Sequence, residues 1–80
     1  MGAVQDLPAD DTWISDQRRA IGDRIRNERR RQHLTQDNVW MAARIARWTY
    51  QRVESGEEVE LGTLLRIARV LGVPLADLVR

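Results

Sequence analysis

The stretch LTQDNVWMAARIARWTYQRVESG, from Leu34 to Gly56, decides the fold. It reads as two short helices joined by a tight turn. Thr35 is an N-cap residue whose hydroxyl can accept from the open N–H groups of a first turn, and Asp37 adds negative charge there, where the helix dipole favours it. Val39 and Ala43 then recur at i, i+4 and define an inward face. Ile45 follows in the turn. Tyr50 and Val53 form the inner stripe of the second of these helices, and Gly56 stands where a left-handed C-terminal residue is wanted. Arg47, Trp48, Gln51 and Arg52 are thereby left on its outer face.

On the N-terminal side, residues 1–11 lack periodicity and contain Pro8, which predicts an irregular segment. We divide the chain into a flexible acidic arm, residues 1–14, and a folded domain, residues 15–80. From about Ser15 to Gln32 the chain is strongly polar, with Asp11, Thr12, Ser15 and Asp16 all able to cap a helix. Ile14, Ile21 and Ile25 nevertheless recur at seven- and four-residue intervals, which gives that helix one narrow buried stripe. On the C-terminal side, Glu57 to Glu60 form an acidic connector. Leu61, Leu64, Leu65, Ile67, Ala68 and Leu71 trace a fourth helix ended by Gly72, and Pro74 suits the first turn of a fifth that buries Leu75, Leu78 and Val79. No alternating strand pattern is present. The expectation is an all-α, compact five-helix domain with a core of Ile21, Ile25, Leu34, Val39, Ala43, Ile45, Tyr50, Val53, Leu61, Leu64, Ile67, Ala68, Leu71 and Leu78.

Composition narrows the function classes. Eighty residues make one small domain. Absence of cysteine excludes a disulfide framework, thiol chemistry and cysteine zinc sites. The lone His33 has no carboxylates at ligand spacing around it, so no metal or other cofactor is expected. No apolar run approaches a membrane span. The acidic N-terminus does not resemble a signal peptide, and Asp6 stands where a myristoylation motif wants Ser or Thr. A soluble, cytoplasmic protein is expected. No Ser–His–Asp set, glycine-rich phosphate loop or paired carboxylates point to an enzyme, and no small-molecule substrate is evident. The net charge of +1 conceals an asymmetry: residues 1–16 carry four Asp and no base, whereas residues 17–56 carry ten Arg against four acids. Positive charge is concentrated where a polyanion would need it.

At this point the residues resemble a known family, the lambda-repressor-like (Xre or Cro type) helix-turn-helix regulators, over about Ile21 to Leu78. The matching fragments are Leu34-Thr35-Gln36, Gln51 to Gly56, and Leu64 to Val73. The resemblance implies a sequence-specific regulator of transcription that binds double-stranded DNA, with the second and third helices as the helix-turn-helix. The helix around Arg47–Ser55 would enter the major groove, and Thr35, Gln36, Arg47, Trp48, Thr49, Gln51 and Arg52 would be the DNA-binding residues. Physical chemistry agrees with that assignment. Backbone N–H groups at the second helix's start can hold a phosphate, Arg suits guanine and Gln suits adenine. Gln36 would approach the DNA backbone or orient the recognition helix. Glu54, which would repel phosphate, is expected to pair with an arginine of the first helix.

Three positions depart from the family pattern. Trp40 replaces a small residue at the helix crossing, Arg44 replaces the turn glycine, and Ala46 replaces a Ser or Thr cap. The last two cost on the order of 1 kcal/mol each. Those departures and three tryptophans keep a second reading open: a protein-interaction module or antitoxin-type partner on the same fold. A homodimer is expected on DNA, paired through Leu75, Leu78 and Val79 with Leu7 and Trp13 of the arm region.

Overall fold

The computed structural model describes residues 2–80. Five helices follow one another: α1 (Thr12–Arg31), α2 (Gln36–Ala43), α3 (Arg47–Glu54), α4 (Leu61–Leu71) and α5 (Leu75–Val79), with no strand among the described residues. The all-α five-helix expectation holds. α1 packs on α3 and α5, α2 on α3 and α4, and α4 on α5. None of these helices is long and apolar enough to cross a membrane.

α1 begins three residues before Ser15. Asp10 determines this, because its Oδ1 accepts from the Thr12 backbone N–H at 3.0 Å and from the Thr12 hydroxyl at 2.6 Å. An aspartate bonding two residues ahead satisfies a first-turn donor, so the helix starts as soon as that turn can close. At the far end His33 takes a left-handed conformation (φ 57°), and the next residue's N–H bonds back to the Arg29 carbonyl at 3.1 Å. No glycine marks that helix end in the sequence.

Thirteen of the fourteen expected core residues are buried or pack at the core's edge. Ile25, Val39, Tyr50 and Ile67 are fully enclosed, and Ile21, Leu34 and Ile45 are partly covered. Leu61 is the correction: it is 62% exposed. Side chains on a helix lean towards its N-terminus, so a leucine at the first position of α4 leans past the bundle into water, whereas Leu64, Ile67, Ala68 and Leu71 lean onto it. Pro74 is the N-cap of α5, one residue outside the expected helical turn.

Two glycines allow α1 to lie against the end of α3. A Cβ on Gly22 would stand 2.6 Å from the Val53 carbonyl oxygen and 2.9 Å from that of Glu54. Gly56, left-handed at φ 83°, would meet the α1 backbone at Arg19 if it carried a Cβ. Backbone therefore approaches backbone at this crossing, and α1 supplies guanidinium donors to the chain end it covers. Arg18 Nε donates to the Gly56 carbonyl at 3.2 Å, and Arg26 donates to that of Glu54. Carbonyls left open by the last turn of α3 thus find side-chain partners.

Candidate nucleic-acid interface

The α2–turn–α3 unit is assembled from local devices. Thr35 Oγ1 accepts from the Asn38 N–H at 3.0 Å while Asn38 Oδ1 accepts from the Thr35 N–H at 2.9 Å, a reciprocal cap that uses asparagine in the third position. α2 turns Val39 and Ala43 inward. Trp40, the bulky departure, lies at the core's edge and donates its indole N–H to Asp37 at 2.8 Å, so it flanks the crossing instead of entering it. Arg44 is left-handed (φ 58°, ψ 45°), and Ala46 caps α3 without a side-chain bond. Both expected local costs are therefore present.

The inner side of α3 is fastened by a buried ion network. Glu54 is 4% exposed and accepts from Arg29 Nε at 2.7 Å, from Arg29 Nη2 at 3.2 Å and from Gln36 Nε2 at 3.1 Å. Arg29 also donates to the Leu34 carbonyl at 2.9 Å. One carboxylate thereby ties α1, α2 and α3 together. Burial alone pushes the Glu54 carboxyl up, but the bonds from Arg29 and Gln36 outweigh it and hold the group below the usual carboxylate value. Arg29 is raised correspondingly, chiefly by Glu54. The neighbouring Tyr50 hydroxyl is buried without a hydrogen-bond partner of proper geometry, and burial raises it far above its ordinary value. The expected pairing of Glu54 with a first-helix arginine is present, and Gln36 orients α3 through the same carboxylate.

The outer side of α3 is open. Arg47 and Gln51, one turn apart, are exposed and make no side-chain hydrogen bond among the described residues, and Trp48 is 61% exposed. Thr49 is half-buried in a shallow cleft between α3 and the connector, beside Trp48, Arg52, Val59 and Thr63. Arg52 lies 5.8 Å over the Trp48 ring and donates to Glu57 Oε1 at 3.3 Å. Thr35 is exposed at the start of α2, its hydroxyl engaged as the cap. The structure thus brings Arg47, Trp48, Gln51 and Arg52 onto one face, while Gln36 turns partly inward.

Two residues of this surface were not assigned from sequence. Arg44, noted only as a departure at a glycine position, is exposed beside the start of α3 with no acid partner. Glu57, read as part of a connector, grips Arg52; its only signal was an acid five residues after the arginine, just past the helix end. The basic segment is also less uniform than its charge count. Arg18, Arg24, Arg26 and Arg29 are bonded to backbone carbonyls or Glu54, and Arg31 pairs with Glu28 at 2.7 Å. Within the Arg29-Arg30-Arg31 triplet only Arg30 is exposed without a side-chain partner among the described residues.

Comparison with known proteins agrees with this geometry. The helix-turn-helix family model matches residues 25–78. No curated protein matches. Among solved structures, the chain is similar to the restriction-modification controller protein C.AhdI from Aeromonas hydrophila, with a TM-score of 0.75 and 25% identity over 79% of this chain and 97% of that one. The family model spans two thirds of the sequence, and the chain belongs to the helix-turn-helix family in its lambda-repressor-like form.

Proposed function

We propose that the protein is a sequence-specific, double-stranded-DNA-binding transcriptional regulator that inserts α3 into the major groove. The observation that carries this reading is the division of α3: Tyr50, Val53 and Glu54 are buried, while Arg47 and Gln51 are exposed and free of partners. Unpaired donors on a rigidly held helix suit base-edge readout, because their bonds form only on binding. Arg44 is exposed in the turn before α3, and the N-terminus of α2 carries open N–H groups; both suit phosphate contacts. Likeness to a restriction-modification controller supports a role in gene control.

Selection of bound duplexes from a random pool, followed by a salt titration, tests the reading. The expected result is a preferred sequence and an affinity that falls steeply with salt. Equal affinity for every duplex together with a flat salt dependence would overturn it.

A homodimer on a two-fold site belongs to the same proposal, since one short helix reads few base pairs and pairing doubles them. Leu78 is 2% exposed and Leu75 is partly covered by the core, so Val79 is the most open of the three residues expected at the contact. Exposed apolar side chains remain at Val79, Leu7 and Trp13, joined by Leu61 and Leu65 on α4. Sedimentation on the selected duplex checks stoichiometry; one chain per duplex at a site without an inverted repeat would refute the dimer. The protein-interaction reading draws on one observation, the exposed Trp48 ring. Tryptophan fluorescence that shifts with the selected DNA, and no longer does so in Trp48→Ala, assigns the ring to DNA.

A further inference from the structure

Arg52 is the one arginine on the open face of α3 that is not free. Its Nε donates to Glu57 Oε1, and its guanidinium lies over Trp48. Glu57 is itself positioned: its backbone N–H donates to the Arg52 carbonyl at 3.0 Å across the left-handed Gly56, and its Oε2 accepts from the Ser55 hydroxyl at 3.0 Å. A closed ring of contacts thus joins the last turn of α3 to the first residue of the connector. Among the described residues Arg44 and Arg47 make no such ion pair, and neighbouring Glu58 is exposed with no bond to any arginine. The protein therefore presents two unpaired cations and one neutralised cation to whatever α3 meets.

We propose that Glu57 is a specificity-determining residue, acting through Arg52; the inference rests on the DNA-binding reading above. Non-specific affinity for DNA comes from cations that neutralise phosphates and release counterions. A guanidinium already paired with a carboxylate contributes less to that term, because a phosphate must first displace Glu57. On a cognate duplex the same pairing, with the stacking on Trp48, holds Arg52 in place for a contact that only the right sequence completes. Glu57 thus lowers affinity for wrong sequences more than for the right one.

The full chain, a random-sequence duplex and the selected duplex provide the test, with affinities measured across a salt series. Glu57→Gln should tighten binding to the random duplex by about two- to fivefold, the range an exposed ion pair can withhold. Its log–log salt slope should steepen by about 0.9, the increment of one further phosphate contact. Affinity for the selected duplex should change less, so the ratio of the two falls. Glu58→Gln makes the same charge change in the same cleft without removing a bonded partner of Arg52, and should leave that ratio at the parent value. In an Arg52→Ala background, Glu57→Gln should no longer alter it. An equal effect from Glu58→Gln, or one that persists without Arg52, would show simple charge repulsion and overturn the inference. An unchanged ratio in Glu57→Gln would overturn it too. If the unaltered protein prefers no duplex at all, the DNA-binding reading falls first and takes this inference with it.

Discussion

α3 carries an arginine–glutamate pair on each of its two sides, and the pairs differ in every respect except chemistry. On the inner side Arg29 meets Glu54 at 2.7 Å with both side chains at or below 10% exposure, and Gln36 completes the carboxylate's bonding. On the outer side Arg52 meets Glu57 at 3.3 Å with side chains 47% and 55% exposed. Removing one partner of the buried pair strands a charge away from water, whereas water replaces either partner of the exposed one. The same ion pair therefore acts as a structural tie inside and as an adjustable contact outside.

Breaking the inner pair should have the largest effect. Glu54→Ala is expected to cost about 3–5 kcal/mol of folding stability, measured by urea unfolding, because it leaves the Arg29 charge buried and unpaired. Leu71→Ala, a cavity in the same core without any charge, should cost about 2–5 kcal/mol. A Glu54→Ala loss below 1 kcal/mol would mean that water reaches the pair and that the contrast drawn above is wrong.

Acid should sharpen the comparison further. The Glu54 carboxyl is held below its ordinary 4.5 in the folded chain, so the unfolded chain binds its proton first. The tie therefore contributes fully above 4.5 and is lost as pH falls through the lower folded value. Unfolding free energies of the parent and of Glu54→Gln, compared from neutral pH downwards, should converge below 4.5. A difference that stays constant or widens on acidification would reverse the sign of this argument.

The outer face should respond in binding and not in folding. Arg47→Ala or Gln51→Ala is expected to cost about 1–3 kcal/mol on the selected duplex and to blur its sequence preference, with the unfolding midpoint unchanged. Glu57→Gln should be the mildest for stability, changing it by less than about 1 kcal/mol and only at low salt. A melting shift in Glu57→Gln as large as that of Glu54→Ala would erase the distinction between the two sides.

Features set by near neighbours were readable in the sequence. Thr35 as a cap, Arg44 in the turn, Gly56 and Gly72 as left-handed ends and the inward stripe of each helix all follow from residues within one or two turns. The pairing of Glu54 with the first helix was also foreseeable, because a carboxylate in a basic segment has few other partners, although nothing local singled out Arg29. What stayed hidden depends on segments brought together by folding. Nothing in the residues around Gly22 shows that the Val53 and Glu54 carbonyls lie against it. Nor does the count of charges show that Arg24 Nη1 donates to the Leu78 carbonyl at 3.1 Å. On α3 the outward placement of Arg47, Trp48, Gln51 and Arg52 was legible because Tyr50 and Val53 fix its inner side. The hold of Glu57 on Arg52 was not, since it depends on how the chain turns at Gly56.

The close crossing at Gly22 also bears on how this chain can acquire new preferences. With backbone against backbone, α3 has no slack to roll or slide on α1, so its aim is not an adjustable quantity. On the DNA-binding reading proposed above, new preferences would come by exchanging side chains at positions 47, 48, 51 and 52, which are exposed and carry no share of the core. Such exchanges leave the inner tie intact and draw little on folding stability. Gly22 is the fixed datum, and the four outer positions are a replaceable cassette mounted on it.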